Sequence, residues 1–253
     1  MIEVVILGTG NVAFHLFNAF SDAENIRVIQ VYNHRQESLK YFSSFTDTTT
    51  NIKNLKPAHF YLLALKDDVI PEIAEQLRSD DGIVVHTSGA VGLNALDSTT
   101  NFGVFYPLQT FSKNKAVDFA KIPVCIEANS AKNLEKIRSL ASSITKDVRE
   151  IDSEQRKALH VAAVFVNNFS NHLYSIGAEI CTENKIDFSI LKPLIAETAS
   201  KIESLNPQEA QTGPALRNDQ KTIETHLAFL SKKHKDIYSL LTQSIQDLHG
   251  KKL

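Results

Sequence analysis

The chain has 253 residues, 43% hydrophobic and 22% charged, which is enough apolar surface for one large folded domain or two modest ones. Its 27 lysines and arginines nearly balance its 29 aspartates and glutamates, and this balance argues against nucleic acid or an acidic membrane surface as a partner. The two cysteines, Cys125 and Cys181, form no CxxC pair, which argues against a disulfide framework or a bound structural metal. The N-terminal apolar run lacks a basic flank, so we expect the start of a fold rather than a signal peptide, and a cytoplasmic protein.

Short apolar runs alternate with helical patterns over the first part of the chain. Their near-continuous hydrophobicity indicates strands buried on both faces, and the alternation predicts an open, mostly parallel α/β sheet. The predicted strands are Ile2–Leu7, Ile26–Tyr32, His59–Leu65, Gly82–His86, Phe102–Tyr106, Val124–Glu127 and Asp147–Ile151. The predicted helices are Val12–Phe20, Glu37–Phe42, Asp68–Leu77 and Ala131–Ile144.

From Ser153 onward the sequence has only helical periodicity, so we predict an α/β domain over 1–151 and an all-α domain over 152–253. Asp152 is a candidate N-cap, and the helix that follows it is expected to continue unbroken to about Thr182. Its stretch Ala158–Val166 is apolar on almost every side. Other helices or a second copy of the chain should therefore bury that stretch.

A glycine-rich turn directly follows the first predicted strand and opens the first helix. Gly8 permits a tight turn, Gly10 lets the backbone approach a diphosphate, and Ala13 keeps the helix close to the sheet. The N–H groups at the start of the helix would bind the diphosphate. The alternative is a strand–helix turn whose glycines serve conformation only. The pattern GxGxxA predicts a Rossmann dinucleotide-binding domain and the contact residues Gly8, Thr9, Gly10, Asn11, Val12 and Ala13.

The end of the second strand indicates which dinucleotide is bound. NAD-binding proteins usually place a carboxylate there, whereas this chain has Asn33, His34 and Arg35, with no carboxylate before Glu37. An arginine can pair with the 2′-phosphate of NADP(H), so we predict that cofactor. The alternative is a solvated arginine on a loop.

The carboxyl ends of later strands supply further candidates, because ligands of open α/β sheets bind there. We expect Leu65 and Lys66 beside the ribose and diphosphate, and Thr87 and Ser88 near the nicotinamide. Lys66 could instead be a solvated lysine, and Ser88 could instead cap a helix.

His160, Asn167 and Asn171 are polar residues on the apolar helix that begins near Ser153. With ideal α-helical geometry, both asparagines lie within about 20° of His160, which predicts one polar stripe. Buried polar groups need partners, and a substrate would supply them; His160 could also exchange the proton that accompanies hydride transfer. The alternative is a hydrogen-bond network between helices.

The segments GTGNVAFHL, LALKDD, HTSGA, FYPLQTF, LHVAAVFVNNFSNHLY and TGPALRND together resemble one known group. They are similar to Rossmann-like oxidoreductases with a C-terminal helical domain of uncharacterised function, relatives of pyrroline-5-carboxylate reductase and of deazaflavin-linked NADP oxidoreductases. The resemblance covers essentially the whole chain. It implies NADP binding and a homodimer formed through the C-terminal helices.

These observations lead to one functional hypothesis and one alternative. The hypothesis is an NADP(H)-dependent oxidoreductase that transfers hydride to or from a small polar substrate, such as a keto acid or an imine, held between the two domains. His160 would be the general acid/base or an anchor, and Ser88, Asn167 and Asn171 would orient the substrate. The alternative is a non-catalytic NADP-binding regulatory or scaffold dimer, because a cofactor turn establishes binding and not turnover.

Overall fold

The computed structural model describes residues 1–77 and 82–249, which form two compact units divided between Asn167 and Asn168. The first unit contains a β-sheet with its covering helices, and the described part of the second unit is helical and irregular. The sequence pattern changes earlier, near residue 152, and the domain boundary there stays a prediction. Residues 250–253 of the predicted C-terminal domain lie outside the described residues.

The described strands form one eight-stranded sheet in the order β3-β2-β1-β4-β5-β6-β7-β8. The first six strands pair in parallel in the Rossmann order, while β7 runs antiparallel to β6 and parallel to β8. The predicted mostly parallel Rossmann sheet is therefore confirmed. The strands are β1 Ile2–Leu7, β2 Ile26–Tyr32, β3 Asp47–Thr49, β4 Phe60–Leu63, β5 Ile83–His86, β6 Phe102–Pro107, β7 Val124–Ala128 and β8 Val148–Glu150.

The strands are apolar at successive positions because both faces of the sheet are covered. On β1, Val4 and Ile6 belong to the core on one face and Val5 and Leu7 to the core on the other, and all four are fully buried. The α-helices of the first unit are α1 Asn11–Ser21, α2 Ile70–Gln76, α3 Ala131–Ser142 and α4 Ser153–Ala163. Its short 3₁₀ helices are Gln36–Leu39, Phe42–Ser44, Ile52–Asn54, Asp67–Val69, Leu93–Leu96 and Phe119–Lys121.

The connection between β2 and β4 differs from the prediction. The helix expected over 37–42 is replaced by two 3₁₀ helices, which are held to the core by Leu39 and Phe42. Strand β3 was not predicted, because this edge strand is the polar tripeptide Asp47–Thr49 and lacks an apolar run. The conformation of this connection is therefore determined by the burial of Leu39 and Phe42 and by the pairing of β3 with β2, and not by a local hydrophobic pattern.

The long helix begins as predicted, with a capping box formed by Asp152 and Gln155. Its regular winding is then interrupted, since Val164–Phe169 forms a π-helix before α5 continues. The expectation of one unbroken α-helix to about Thr182 is therefore wrong in detail. The remaining helices are α5 Ser170–Glu183, the 3₁₀ helix Phe188–Leu191, α6 Lys192–Lys201, α7 Pro207–Ala210, α8 Gln220–Phe229 and α9 Lys232–His249.

Polar contacts join the helices of the second unit. Glu179 on α5 accepts hydrogen bonds from Lys233 at the start of α9, and it lies 3.2 Å from the imidazole of buried His234. The Tyr238 hydroxyl lies 2.8 Å from His226 Nδ1 and joins α9 to α8. These contacts fix α9 against both α5 and α8.

The apolar stretch predicted to be covered is exposed in the single chain. Val161, Phe165 and Val166 are 54%, 63% and 75% exposed, so the part of the chain that the structure describes does not bury them. Coverage by a second copy, and with it the homodimer, stays a prediction. Among the helices of the described residues, none combines the length and apolarity that a membrane span requires.

Candidate functional site

The turn after β1 requires a glycine at its first position. Gly8 has a φ of +119°, and a Cβ built there would lie 2.1 Å from the carbonyl oxygen of Ala64 on the neighbouring strand. Its N–H donates to the Tyr32 carbonyl at 2.9 Å. Gly8 therefore lets the turn pass between β2 and β4, as the sequence predicted.

The N-terminus of α1 faces open space next to this turn. Gly10 is the N-cap residue, and within the described residues no side chain caps the helix. A Cβ built at Gly10 meets no atom within 4 Å, so packing does not require a glycine there. Ala13 is fully buried in the core, which keeps α1 close to the sheet. Uncapped N–H groups beside open space fit the diphosphate of a dinucleotide.

A cavity of about 870 Å³ lies at the carboxyl edge of the sheet above this turn. It brings together most of the residues predicted to contact the cofactor, although Ala13 and Ser88 do not line it. Ser38 lines the cavity beside Arg35 and was not predicted, because it lies past the strand end that the motif describes. The predicted residues on its wall are Gly8, Thr9, Gly10, Asn11, Val12, Asn33, His34, Arg35, Leu65, Lys66 and Thr87.

The two asparagines among these predicted residues have hydrogen-bond partners within the protein. The Asn33 amide donates to the Thr9 hydroxyl at 2.8 Å, and its carbonyl oxygen accepts from the Arg35 N–H at 2.9 Å. The Asn11 amide donates to the carbonyl oxygen of Phe111 at 2.8 Å. These side chains fix the walls of the cavity, and their direct contact with a cofactor stays a prediction.

The loop after β5 is shaped by two buried side chains. His86 Nδ1 accepts the N–H of Ser88 at 3.2 Å, and the Ser88 hydroxyl oxygen accepts the N–H groups of Ala90 and Val91, each at 3.1 Å. Ser88 thus caps its own turn and not a helix, since the next helix, Leu93–Leu96, has Gly92 as its N-cap. Its role in orienting a substrate stays a prediction. Thr87 is buried, and its backbone N–H donates to the Leu63 carbonyl at 3.2 Å.

The pKa of His86 is lowered to about 3 because the side chain is buried and because Arg156 lies nearby. The imidazole is therefore neutral in the folded protein. Between about pH 6.5 and 3 the unfolded chain binds a proton that the folded chain does not, so stability falls as the pH falls through this window.

Replacing His86 with Gln should flatten this dependence of stability on pH. We expect the loss of unfolding free energy between about pH 7 and pH 5 to be about 2 kcal/mol smaller in His86→Gln than in the wild type. Urea denaturation at both pH values measures the difference. An equal loss in the two proteins would show that His86 titrates normally in the fold.

His160, Tyr106 and Gly89 form a compact cluster in the first unit. The Tyr106 hydroxyl at the end of β6 lies 3.2 Å from His160 Nδ1 on α4, and the two rings meet edge to face. A Cβ built at Gly89 would lie 2.6 Å from His160 Nδ1 and 2.8 Å from Tyr106 Cζ. The sequence marked Tyr106 only as a strand end, because its pairing with His160 depends on tertiary contact between residues 54 positions apart.

A buried ion pair holds the start of α4 against the sheet. Arg156 is fully buried and pairs with Glu127 on β7, and its guanidinium also donates to the Val91 carbonyl at 2.6 Å. Ser153 donates to Glu127 and accepts the N–H of Leu93. His160 follows Arg156 by one helical turn, so these contacts set its position above the loop that contains Gly89.

A π-helix interrupts the helix on which the polar stripe was predicted. Asn167 lies within the π-helix and is half-buried, and Asn171 lies on α5 in the second unit, where it is exposed. The angle per residue of an α-helix does not apply across the π-helix, so the expected alignment of both asparagines with His160 stays a prediction. Their roles in substrate binding stay predictions. In the described residues no group of three or more His, Cys, Asp or Glu side chains could hold a metal ion.

Comparisons with known proteins extend over both units. The family model described as "Domain of unknown function (DUF2520)" matches residues 122–245. The crystal structure of a Bacteroides fragilis protein named "putative NADP oxidoreductase" is 37% identical, with a TM-score of 0.90 over 97% of this chain and 98% of that one. Among curated proteins, none matches the sequence significantly.

Two more distant structures share the fold. Imine reductase from Myxococcus stipitatus, in complex with NADP⁺, is 15% identical, with a TM-score of 0.67 over 98% of this chain and 96% of that one. Pyrroline-5-carboxylate reductase from Streptococcus pyogenes is 11% identical, with a TM-score of 0.64 over 97% of this chain and 98% of that one. The resemblance read from the sequence is confirmed. Because the Bacteroides fragilis protein matches nearly the whole chain at 37% identity, this chain belongs to the family of Rossmann-like NADP oxidoreductases that carry the DUF2520 region.

Proposed function

We propose that the protein is an NADP(H)-dependent oxidoreductase that transfers hydride to or from a small polar substrate, with His160 as the general acid/base or anchor. One observation carries this proposal. Thr87 lines the dinucleotide-sized cavity, and Gly89, two residues later on the same loop, packs against His160 and Tyr106. A cofactor cradle and a pair of proton-exchanging side chains therefore adjoin at the carboxyl edge of one sheet.

The residues on the cavity wall fit a dinucleotide. The α1 N-terminus would hold the diphosphate, the end of β2 would hold the adenosine ribose, and Thr87 would lie toward the nicotinamide. When bound, the cofactor supplies hydride chemistry. The names of the family members and of the more distant reductases agree with this use of the cavity.

The protein's own contribution is proton exchange and orientation. Hydride transfer to a carbonyl or an imine must be accompanied by proton transfer to the oxygen or nitrogen, and an imidazole is suited to donate that proton near neutral pH. The fixed start of α4 and the absence of a side chain at Gly89 support His160 in this role. Ser88, Asn167 and Asn171 are proposed to orient the substrate.

The preference for NADP(H) is proposed to depend on Arg35. This residue is exposed on the cavity wall, and its backbone N–H is held by Asn33. A charge-assisted bond to a 2′-phosphate predicts that Arg35→Ala weakens NADPH binding about 10- to 100-fold and leaves NADH binding unchanged. Isothermal titration calorimetry with both nucleotides measures the two effects.

Arg27→Ala is the matched control for Arg35→Ala. Arg27 is also an exposed arginine, but it lies near the start of β2, whereas Arg35 follows the end of that strand, and it does not line this cavity. We expect it to leave both affinities unchanged. Equal losses of NADPH affinity in the two variants would mean that Arg35 acts only through the protein's overall positive charge and not through contact with the 2′-phosphate.

Oxidation of NADPH with a panel of keto acids, imines and aldehydes tests the proposed reaction. Turnover of at least one of these substrates is expected. If no substrate of the panel were turned over while NADPH still bound, the alternative of a non-catalytic NADP-binding protein would be favoured.

A further inference from the structure

We propose that Tyr106 selects the tautomer of His160, by donating its O–H to Nδ1 and so keeping the imidazole proton on Nε2. In this arrangement Nε2–H passes its proton to the substrate while Nδ1 takes up the Tyr106 O–H proton, so the ring stays neutral and the phenol is left as a phenolate. Tyr106 is then a positioning residue that acts through His160. The inference rests on the proposed function for its chemical purpose, but the tautomer itself is a property of the protein alone.

The contacts of His160 with Tyr106 and Gly89 lie on one edge of its ring. The Tyr106 hydroxyl is 3.2 Å from Nδ1, and the ring centroids are 6.2 Å apart at an angle of 70°. A Cβ at Gly89 would approach Nδ1 and Cγ, which form that same edge. Within residues 1–77 and 82–249 no hydrogen bond reaches Nε2, so this is the nitrogen left for a ligand.

The hydrogen bond has a preferred direction. A neutral imidazole has one N–H donor and one bare nitrogen acceptor, and the hydrogen bond made by one nitrogen determines which nitrogen carries the proton. Burial raises the pKa of Tyr106, with a smaller contribution from Cys125, so its hydroxyl keeps its proton. A protonated phenol is a good donor, and Nδ1 of a neutral His160 is the acceptor within reach.

In other enzymes a second hydrogen bond also orients a histidine and selects its tautomer. There the partner is often a carboxylate, whereas here it is a neutral hydroxyl. A carboxylate beside Nδ1 accepts a hydrogen bond and so requires Nδ1–H, whereas a tyrosine O–H that donates to Nδ1 requires that nitrogen to be bare. We therefore infer that, in the neutral ring, Nε2–H is the group that His160 presents to the substrate. This form can hydrogen-bond to a carbonyl oxygen or an imine nitrogen before proton transfer.

Nitrogen NMR of the full-length protein with ¹⁵N-labelled histidine tests the inference without cofactor or substrate. His160 is assigned by the signals that disappear in His160→Gln. In the neutral form of the ring, we expect Nε2 to have the chemical shift of a protonated nitrogen and Nδ1 that of a bare, hydrogen-bonded one. A protonated Nδ1 in the wild type would overturn the proposal directly.

Tyr106→Phe removes only the hydroxyl and should raise the ratio of the Nδ1–H to the Nε2–H tautomer about fivefold, as expected for the loss of one net hydrogen bond. The matched control is Tyr61→Phe, which removes the hydroxyl of a buried tyrosine, one that donates to the Lys56 carbonyl at 3.0 Å. The control should leave the His160 signals in place. An unchanged ratio in Tyr106→Phe would refute the role of Tyr106, whether or not any substrate is turned over.

Discussion

Replacing His160 with Gln is expected to lower kcat about 10²- to 10⁴-fold, which is the usual contribution of a positioned general acid or base. The Kd for NADPH should not change, because His160 does not line the cofactor cavity. Gln keeps a polar side chain of similar length but cannot exchange a proton near neutral pH. Steady-state kinetics with the best substrate of the panel and a separate NADPH titration measure the two quantities.

His172→Gln is the control for this variant, because His172 is an exposed histidine further along the same run of helix. We expect it to retain kcat within about twofold, as is usual for a surface change away from the site. If His160→Gln also retained kcat, His160 would be an anchor at most and another group would have to exchange the proton. A loss of NADPH affinity equal to the loss of kcat would instead indicate a disturbed cavity.

The second large effect is expected at Gly8. In Gly8→Ala the new methyl group would overlap the Ala64 carbonyl, and the φ of +119° is one that alanine rarely adopts. Backbone strain and overlap together should lower the unfolding free energy by roughly 3 kcal/mol or more and abolish NADPH binding. Chemical denaturation and a nucleotide titration of the variant measure both results.

Gly10→Ala separates cofactor binding from folding at the same turn. Gly10 has a φ of −70°, and its Cβ would project into open space, so the unfolding free energy should change by less than about 1 kcal/mol. The same methyl group should weaken NADPH binding at least about tenfold, because the diphosphate is expected to pass there. Unchanged binding in a stable Gly10→Ala protein would mean that the cofactor does not approach the α1 N-terminus.

The sheet could be predicted from sequence because its determinants are local. Val4 to Leu7 are apolar at successive positions since both faces of β1 are covered, and a run of this kind is visible without a structure. The glycine turn could also be predicted from the sequence, because the positive φ at Gly8 and the nearby Ala64 carbonyl leave no room for a side chain. These two features were enough to predict which edge of the sheet carries the cavity and most of the residues that line it.

Features that depend on residues far apart in the chain could not be predicted from the sequence. The strand Asp47–Thr49 exists because it pairs with β2, and its own sequence is polar. The π-helix Val164–Phe169 interrupts a pattern that fits an ordinary α-helix, so the unbroken helix predicted to about Thr182 was wrong. Tyr106 and His160 meet only after β6 and α4 have packed, which is why the sequence identified His160 alone.

Calorimetric titration of the purified wild-type protein with NADPH, and then with NADH, tests most directly whether this chain binds a nicotinamide dinucleotide at the turn after β1. We expect saturable heat at one site per chain, with a lower Kd for NADPH than for NADH. No heat with either nucleotide would contradict the assignment of the cavity, and with it the proposed role of every residue around it.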